Sequence, residues 1–217
     1  MTRGELIDRV TATVGLQDTD PMDERDLVDH WIYQGTLDLL SRTRCVVRCI
    51  HLNVQKGVTT YELGSQIITL VDVDDGSSSD GRRRRRDDDR RGFTLIGSDL
   101  FQLWPEPDED LELDVWAVKT PTRMTDDLHD LGSEAFGSIP VEYQDAIELY
   151  AVWKAADYAH EENSGRGERY RVLYEGQDGR GGRLAQIRVM VNKRGTARAA
   201  SRKVTVKVLN SHASYVG

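Results

Sequence analysis

The residues best equipped for chemistry in this chain are few, and their spacing assembles no site. Cys45 and Cys49 lie in a β-branched-rich run. On a strand they share a face but stand about 13 Å apart at ~3.3 Å per residue, too far for one disulfide or one zinc ion to span. His51 is close by, yet no second Cys/His pair follows it, so both cysteines are expected to be reduced structural thiols. The five histidines, His30, His51, His129, His160 and His212, are scattered without HxH or HxxxH spacing. Asp72, Asp74 and Asp75 precede Gly76, but Asp75 is out of step with a calcium-binding loop and no glutamate closes it. Glu106, Asp108, Glu109 and Asp110 sit in a Pro-containing turn, where acids serve turn geometry and solubility. Neither a G-x-S-x-G elbow nor a Walker loop occurs. The expectation is a protein without enzymatic activity, metal or cofactor.

Charge is the more conspicuous feature. The formal net charge is −8. Residues 166–217 hold twelve Lys/Arg against three Asp/Glu, a net +9, which leaves −17 on residues 1–165. An acidic body with a basic limb calls for a partner surface. In the limb, Arg194, Arg198, Arg202, Lys203 and Lys207 supply charge, while Val204, Val206 and Val208 alternate with Lys203, Thr205 and Lys207 as in a strand. A terminal strand of this kind pairs with the sheet edge of another chain. The acidic body of a second copy is a complementary target, so docking to protein is favoured over nucleic acid. A second charge run, Arg82, Arg83, Arg84, Arg85 and Arg86, then Asp87–Asp89 and Arg90–Arg91, lies within 74–92, a stretch without one apolar side chain. It is expected to be a solvated hairpin tip. Contact with a neighbouring subunit is the second reading. DNA phosphate is the third, because nearby aspartates offset the arginines and no aromatics interleave for stacking.

Behind these segments stand the elements that position them. Of 217 residues, 38% are hydrophobic and 30% charged, which suits one domain with a modest core and much solvated surface. The apolar runs are too short to span a membrane, and MTRGELIDRV lacks a signal-peptide layout. Thr2 and Glu5 form a capping box that opens a helix over 2–14. Asp20-Pro21 opens another over 20–43, with Leu27, Val28, Trp31, Ile32, Gly35, Leu39 and Leu40 inward. The period then changes to two. Strands are expected at 46–54, 58–63, 66–73, 93–96, 100–104 and 111–117, with Lys56-Gly57 joining the first two as a hairpin.

Helical spacing returns at Ile139. Pro140 suits the first turn; Tyr143, Ile147, Tyr150 and Lys154 follow at i+3 and i+4, beside a row of Ala151, Ala155 and Ala159 that allows close approach. This helix is expected over 140–162. A second is expected over 166–193, with Tyr170, Leu173, Tyr174, Leu184, Ile187 and Val191 in the core. Gly176, Gly179, Gly181 and Gly182 each cost a helix about 1 kcal/mol relative to Ala; they either break it or let it lie against the alanines, and the second is preferred. The fold class is therefore α+β. A helical frame, made of an N-terminal helix pair and a long C-terminal helical hairpin, carries a small antiparallel sheet or barrel inserted over 45–120. One domain covers 1–193, and a basic extended arm covers 194–217.

The order of these motifs resembles a family. D-L-V-x-x-W-I at Asp26–Ile32, G-V-T-T-Y-x-L at Gly57–Leu63, F-Q-L-W-P-x-P at Phe101–Pro107, P-T-x-M-T-D at Pro121–Asp126 and I-P-x-x-Y-x-x-A-I-x-x-Y-A at Ile139–Ala151 follow one another. The series is similar to that of the head–tail adaptor (connector) proteins of tailed bacteriophages and related gene transfer agents. It extends from Glu5 to Tyr174 and rests on order, not on any single motif; the Arg/Asp-rich insert and the glycine cluster depart from it. The resemblance implies a virion structural protein, assembled in the host bacterial cytoplasm and placed in the neck between capsid and tail. Such adaptors form a homo-oligomeric ring, commonly a dodecamer, beneath the portal protein. The ring extends the channel through which genomic DNA passes without sequence-specific binding, and it offers a surface to the next neck or tail protein. Helices form the ring wall; the sheet and the arm contact neighbours or the portal. No membrane, cofactor or catalysis is implied. A tail-completion or terminator protein is the nearer alternative, and a basic-armed nucleic-acid-binding protein the more distant one.

Overall fold

The computed structural model describes residues 1–15, 21–64, 66–74, 92–159, 165–177 and 180–194. In chain order the elements are α1 (Arg3–Val14), α2 (Pro21–Thr43), β1 (Arg48–Val54), β2 (Thr60–Glu62), β3 (Ile67–Asp74), β4 (Gly92–Ile96), β5 (Leu100–Trp104), β6 (Leu111–Lys119), α3 (Gln144–Ala159), α4 (Gly165–Glu175), β7 (Gly176–Gln177), β8 (Arg180–Gly181) and α5 (183–194). The class is α+β with small antiparallel sheets. Two compact units are described in turn: Met1–Val46 with Thr120–Met190, and Val47–Lys119, to which the described residues 191–194 also belong.

The first unit is helical. Thr2 caps α1 as expected: its side chain accepts from the Glu5 N–H, and the Glu5 carboxylate accepts from the Thr2 N–H. The remaining orphan donors of the first turn go to a loop, Arg3 N–H to His129 O at 2.8 Å and Gly4 N–H to Asp127 O at 3.1 Å. Leu6, Ile7, Val10 and Val14 are buried, and the helix stops at Gly15, whose φ of 72° suits glycine. On α2, Val28, Ile32, Leu39 and Leu40 are buried, while Leu27 and Trp31 are half-buried. Asp29 and Thr36 are buried as well. Pro140 stands one step earlier than expected. Its ψ of 141° is extended, and a 3-10 turn over Val141–Tyr143 leads into α3.

The helix expected over 166–193 is interrupted, contrary to the preferred reading of the glycines. α4 ends at Glu175, the chain turns at Gly176 with φ 96°, and the β7–β8 ribbon precedes α5. Glycine is what permits so tight a return. A Cβ on Gly182 would stand 2.4 Å from Gly176 N and 2.6 Å from Tyr174 O, backbone atoms that no rotamer moves aside. Leu173 is 48% exposed, contrary to expectation, while Tyr174, Leu184 and Ile187 are buried. Close helix approach occurs at other glycines. On α4, the Cβ position of Gly167 falls on the Asp157 side chain of α3; on α2, that of Gly35 lies 3.0 Å from the Tyr150 ring.

The second unit is β-structure. Strand limits fall within two residues of expectation, but the pairing differs. One antiparallel sheet has the order β1-β6-β3 and the other β2-β5-β4. β1 and β2 therefore do not form the expected hairpin. Their turn is held by the segment before β6, through Lys56 N–H to Asp110 Oδ1 at 2.7 Å and Gly57 N–H to Pro107 O at 2.9 Å. β3 and β4 likewise belong to different sheets; residues 75–91, on which the expected hairpin tip falls, lie outside the described residues. Alternate residues of both sheets share one core: Leu52, Val54, Leu63, Ile67, Phe101, Leu103, Leu113, Val115 and Ala117.

Tyr174 ties α4 to α2. Its hydroxyl donates to Asp38 Oδ2 at 2.6 Å, and its ring meets that of Tyr150 edge-on with centroids 5.5 Å apart. Burial, with the bond to Asp38, pushes the phenol far above its ordinary value of 10.0. The folded state thus favours the neutral phenol. The resulting stability is full below pH 10.0 and is lost as pH rises above it. Tyr174→Phe is expected to cost about 1 kcal/mol at neutral pH and to flatten the alkaline loss of stability, both readable by denaturant titration across pH.

Candidate assembly surfaces

α3 is the packing helix that its spacing suggests. Tyr143, Ile147, Ala151 and Ala155 are buried, as are Ala146, Val152 and Ala156. It touches α1, α2 and α4, which is why apolar side chains occupy more than one stripe. Tyr150 is half-buried against Gly35, and the Lys154 ammonium lies 3.8 Å from the Trp153 ring centroid. Ala159 corrects the expected row: it is exposed, because the contact with α4 runs through Asp157 and Gly167. α5 is pinned to the start of α3 by Arg183, whose Nη2 donates to Glu142 O at 2.6 Å and Asp145 Oδ1 at 3.0 Å.

An ion-pair network in the helical unit escapes sequence reasoning. The Asp29 carboxylate, 7% exposed, accepts from Arg3 Nε at 2.6 Å and from Arg123 Nε at 2.9 Å. Asp127 accepts from Arg3 Nη1 at 2.5 Å and from Arg25 Nη2 at 2.6 Å. Arg3 thus bridges two carboxylates that lie on α2 and on the 126–131 loop. Burial works against the charge of Arg3, but the bonds and fields of Asp29 and Asp127 outweigh it and raise its pKa. The only sequence signal was an acid on the inward side of α2, whose partners are distant in the chain.

The expected partner-contacting residues fall largely outside the described residues: Arg82, Arg83, Arg84, Arg85, Arg86, Arg198, Arg202, Lys203, Val204, Val206, Lys207 and Val208. Arg194 is described and exposed, at the end of α5. Apolar contact candidates that the sequence did not flag emerge instead. On the β4–β5 pair, Trp104 is 73% exposed, and Phe93 and Ile96 are 44% exposed. In the helical unit Leu128 and Val141 are exposed. Cys49, His51 and Asp114 are also brought together, with donor atoms all within 4.8 Å of one another. Sequence spacing offers no second Cys/His pair beside Cys49 and His51; the third donor is an aspartate distant in the chain. Among the described residues, no helix is long and apolar enough to cross a membrane.

A core packed by alanines and ion pairs, with apolar side chains left on its strands, suits a protein that assembles. The family model for SU10 adaptor proteins matches residues 1–204. The chain belongs to the SU10 adaptor protein family. No curated protein matches the chain. The family is one of phage head–tail adaptors, so the protein is a bacteriophage structural component that takes part in virus assembly. An SU10-type adaptor interacts with other phage head or tail proteins.

The network around Arg3 gives this adaptor a defined acid response. The bond from Arg25, assisted by Arg3, holds Asp127 below its ordinary value of 3.8. A lowered folded-state value contributes stability above 3.8, which is lost as pH falls below it. Asp127→Asn is expected to be less stable than the parent at neutral pH, with the gap closing as pH falls through that range. Thermal unfolding of both proteins across pH checks this.

Proposed function

We propose that this adaptor forms a closed ring, a dodecamer, beneath the portal protein. There it extends the channel for passing DNA and presents a docking surface to the next neck or tail protein. The family match over residues 1–204 carries this reading. The mechanism is geometric: a rigid helical unit fixes the angle between neighbouring subunits, and that angle sets ring closure. The burial of α3 among α1, α2 and α4 supports such rigidity. Exposed Trp104, Phe93 and Ile96 support a neighbour-contacting role for the β2-β5-β4 sheet. The split between −17 on residues 1–165 and +9 on residues 166–217 supports an arm over 194–217 that docks on an acidic protein surface.

Co-sedimentation with purified portal complex tests the reading. The full-length chain is expected to travel with the portal, and a chain truncated after Asn192 is expected to remain behind. A full-length chain that never associates would contradict the neck placement. A truncated chain that binds with undiminished affinity would contradict the role of the arm.

A further inference from the structure

We propose that Cys49, His51 and Asp114 form a binding site for a zinc-class divalent cation on the outer face of the β1–β6 pair. The backbone sets the site. Cys49 and His51 are two apart on β1 and so project from one face. His51 lies directly opposite Asp114 on β6, and Cys49 opposite Trp116. The alternate residues Leu52, Leu113 and Val115 fill the core, so the three donors lie on the side away from it. His51 is 82% exposed and Asp114 47% exposed at the side chain, and their Nδ1 and Oδ1 atoms are 2.7 Å apart. With the cysteine sulfur, the three donors lie within 4.8 Å of one another. Zinc bonds of about 2.0–2.3 Å require tetrahedral donors roughly 3.4–3.8 Å apart. Side-chain rotations that open the 2.7 Å His51–Asp114 pair by roughly 0.7 Å and close the longest separation by about 1 Å would complete the set.

The donor chemistry selects the ion. One thiolate, one imidazole and one carboxylate suit zinc and its borderline neighbours over magnesium or calcium, which take oxygen donors. Three protein ligands leave a fourth position for water. Binding replaces the Cys49 thiol proton, which passes to solvent, while His51 binds as the neutral ring and Asp114 as the carboxylate. The bound ion would clamp β1 to β6, the strands by which the chain enters and leaves the β unit.

Cobalt(II) titration of the reduced full-length protein tests the proposal. Expected are saturation at one ion per chain, a thiolate-to-cobalt charge-transfer band, and its loss on adding zinc. Cys49→Ser should abolish the band, and Cys45→Ser should leave it intact. His51→Asn and Asp114→Asn should each weaken affinity by ~10-fold or more, the loss that even outer partners of metal ligands cause. Circular dichroism confirms that each variant is folded, since these side chains lie outside the core. Absence of the band in the parent would overturn the proposal, as would a band that survives Cys49→Ser or disappears with Cys45→Ser.

Discussion

Helix α3 touches α1, α2 and α4, and that enclosure constrains the rest of the helical unit. Where several helices approach one, their separation is set by the smallest side chains between them. Ala146, Ala151 and Ala155 are fully buried, and Ala156 nearly so. The partners yield in kind: α2 offers Gly35 to the Tyr150 ring, and α4 offers Gly167 to Asp157. Larger side chains at such positions would force overpacking, typically about 1–3 kcal/mol per site. The larger aromatic groups pack beside these small residues. Tyr150, Trp153 and Tyr174 cluster there with centroids 5.5–6.5 Å apart.

Charge then fixes how the helices are joined. Asp29 is buried, where an unpaired polar group is costly, and Arg3 and Arg123 supply its partners from α1 and from the chain returning out of β6. Arg3 also reaches Asp127, so the start of α1, the middle of α2 and the 126–131 loop share one network. Backbone bonds from Arg3 and Gly4 to that same loop reinforce it. Rigidity of this kind supports the proposed role, in which the helical unit holds a surface at a fixed angle to its neighbours.

Local signals in the sequence were read well, and distant ones were not. The capping box, the strand limits and the buried α3 residues follow from capping chemistry and periodicity, which act over a few residues. Strand pairing does not. Lys56-Gly57 reads as a hairpin turn, but Asp110 and Pro107 hold it, and β1 pairs with β6 across more than fifty intervening residues. The glycine cluster was ambiguous because helix propensity cannot say whether a neighbouring backbone lies 2.4 Å from a missing Cβ. The same limit hid the Asp29 network and the approach of Asp114 to Cys49 and His51. Each joins residues that only the folded chain makes neighbours. Family membership, by contrast, was legible in the order of the motifs from Asp26 to Ala151.

Ring formation on the portal is the central claim, and electron microscopy of purified adaptor mixed with portal complex tests it most directly. The account predicts an added ring of density on one end of the portal that shares its axis. Portal particles unchanged by a molar excess of folded adaptor would contradict it.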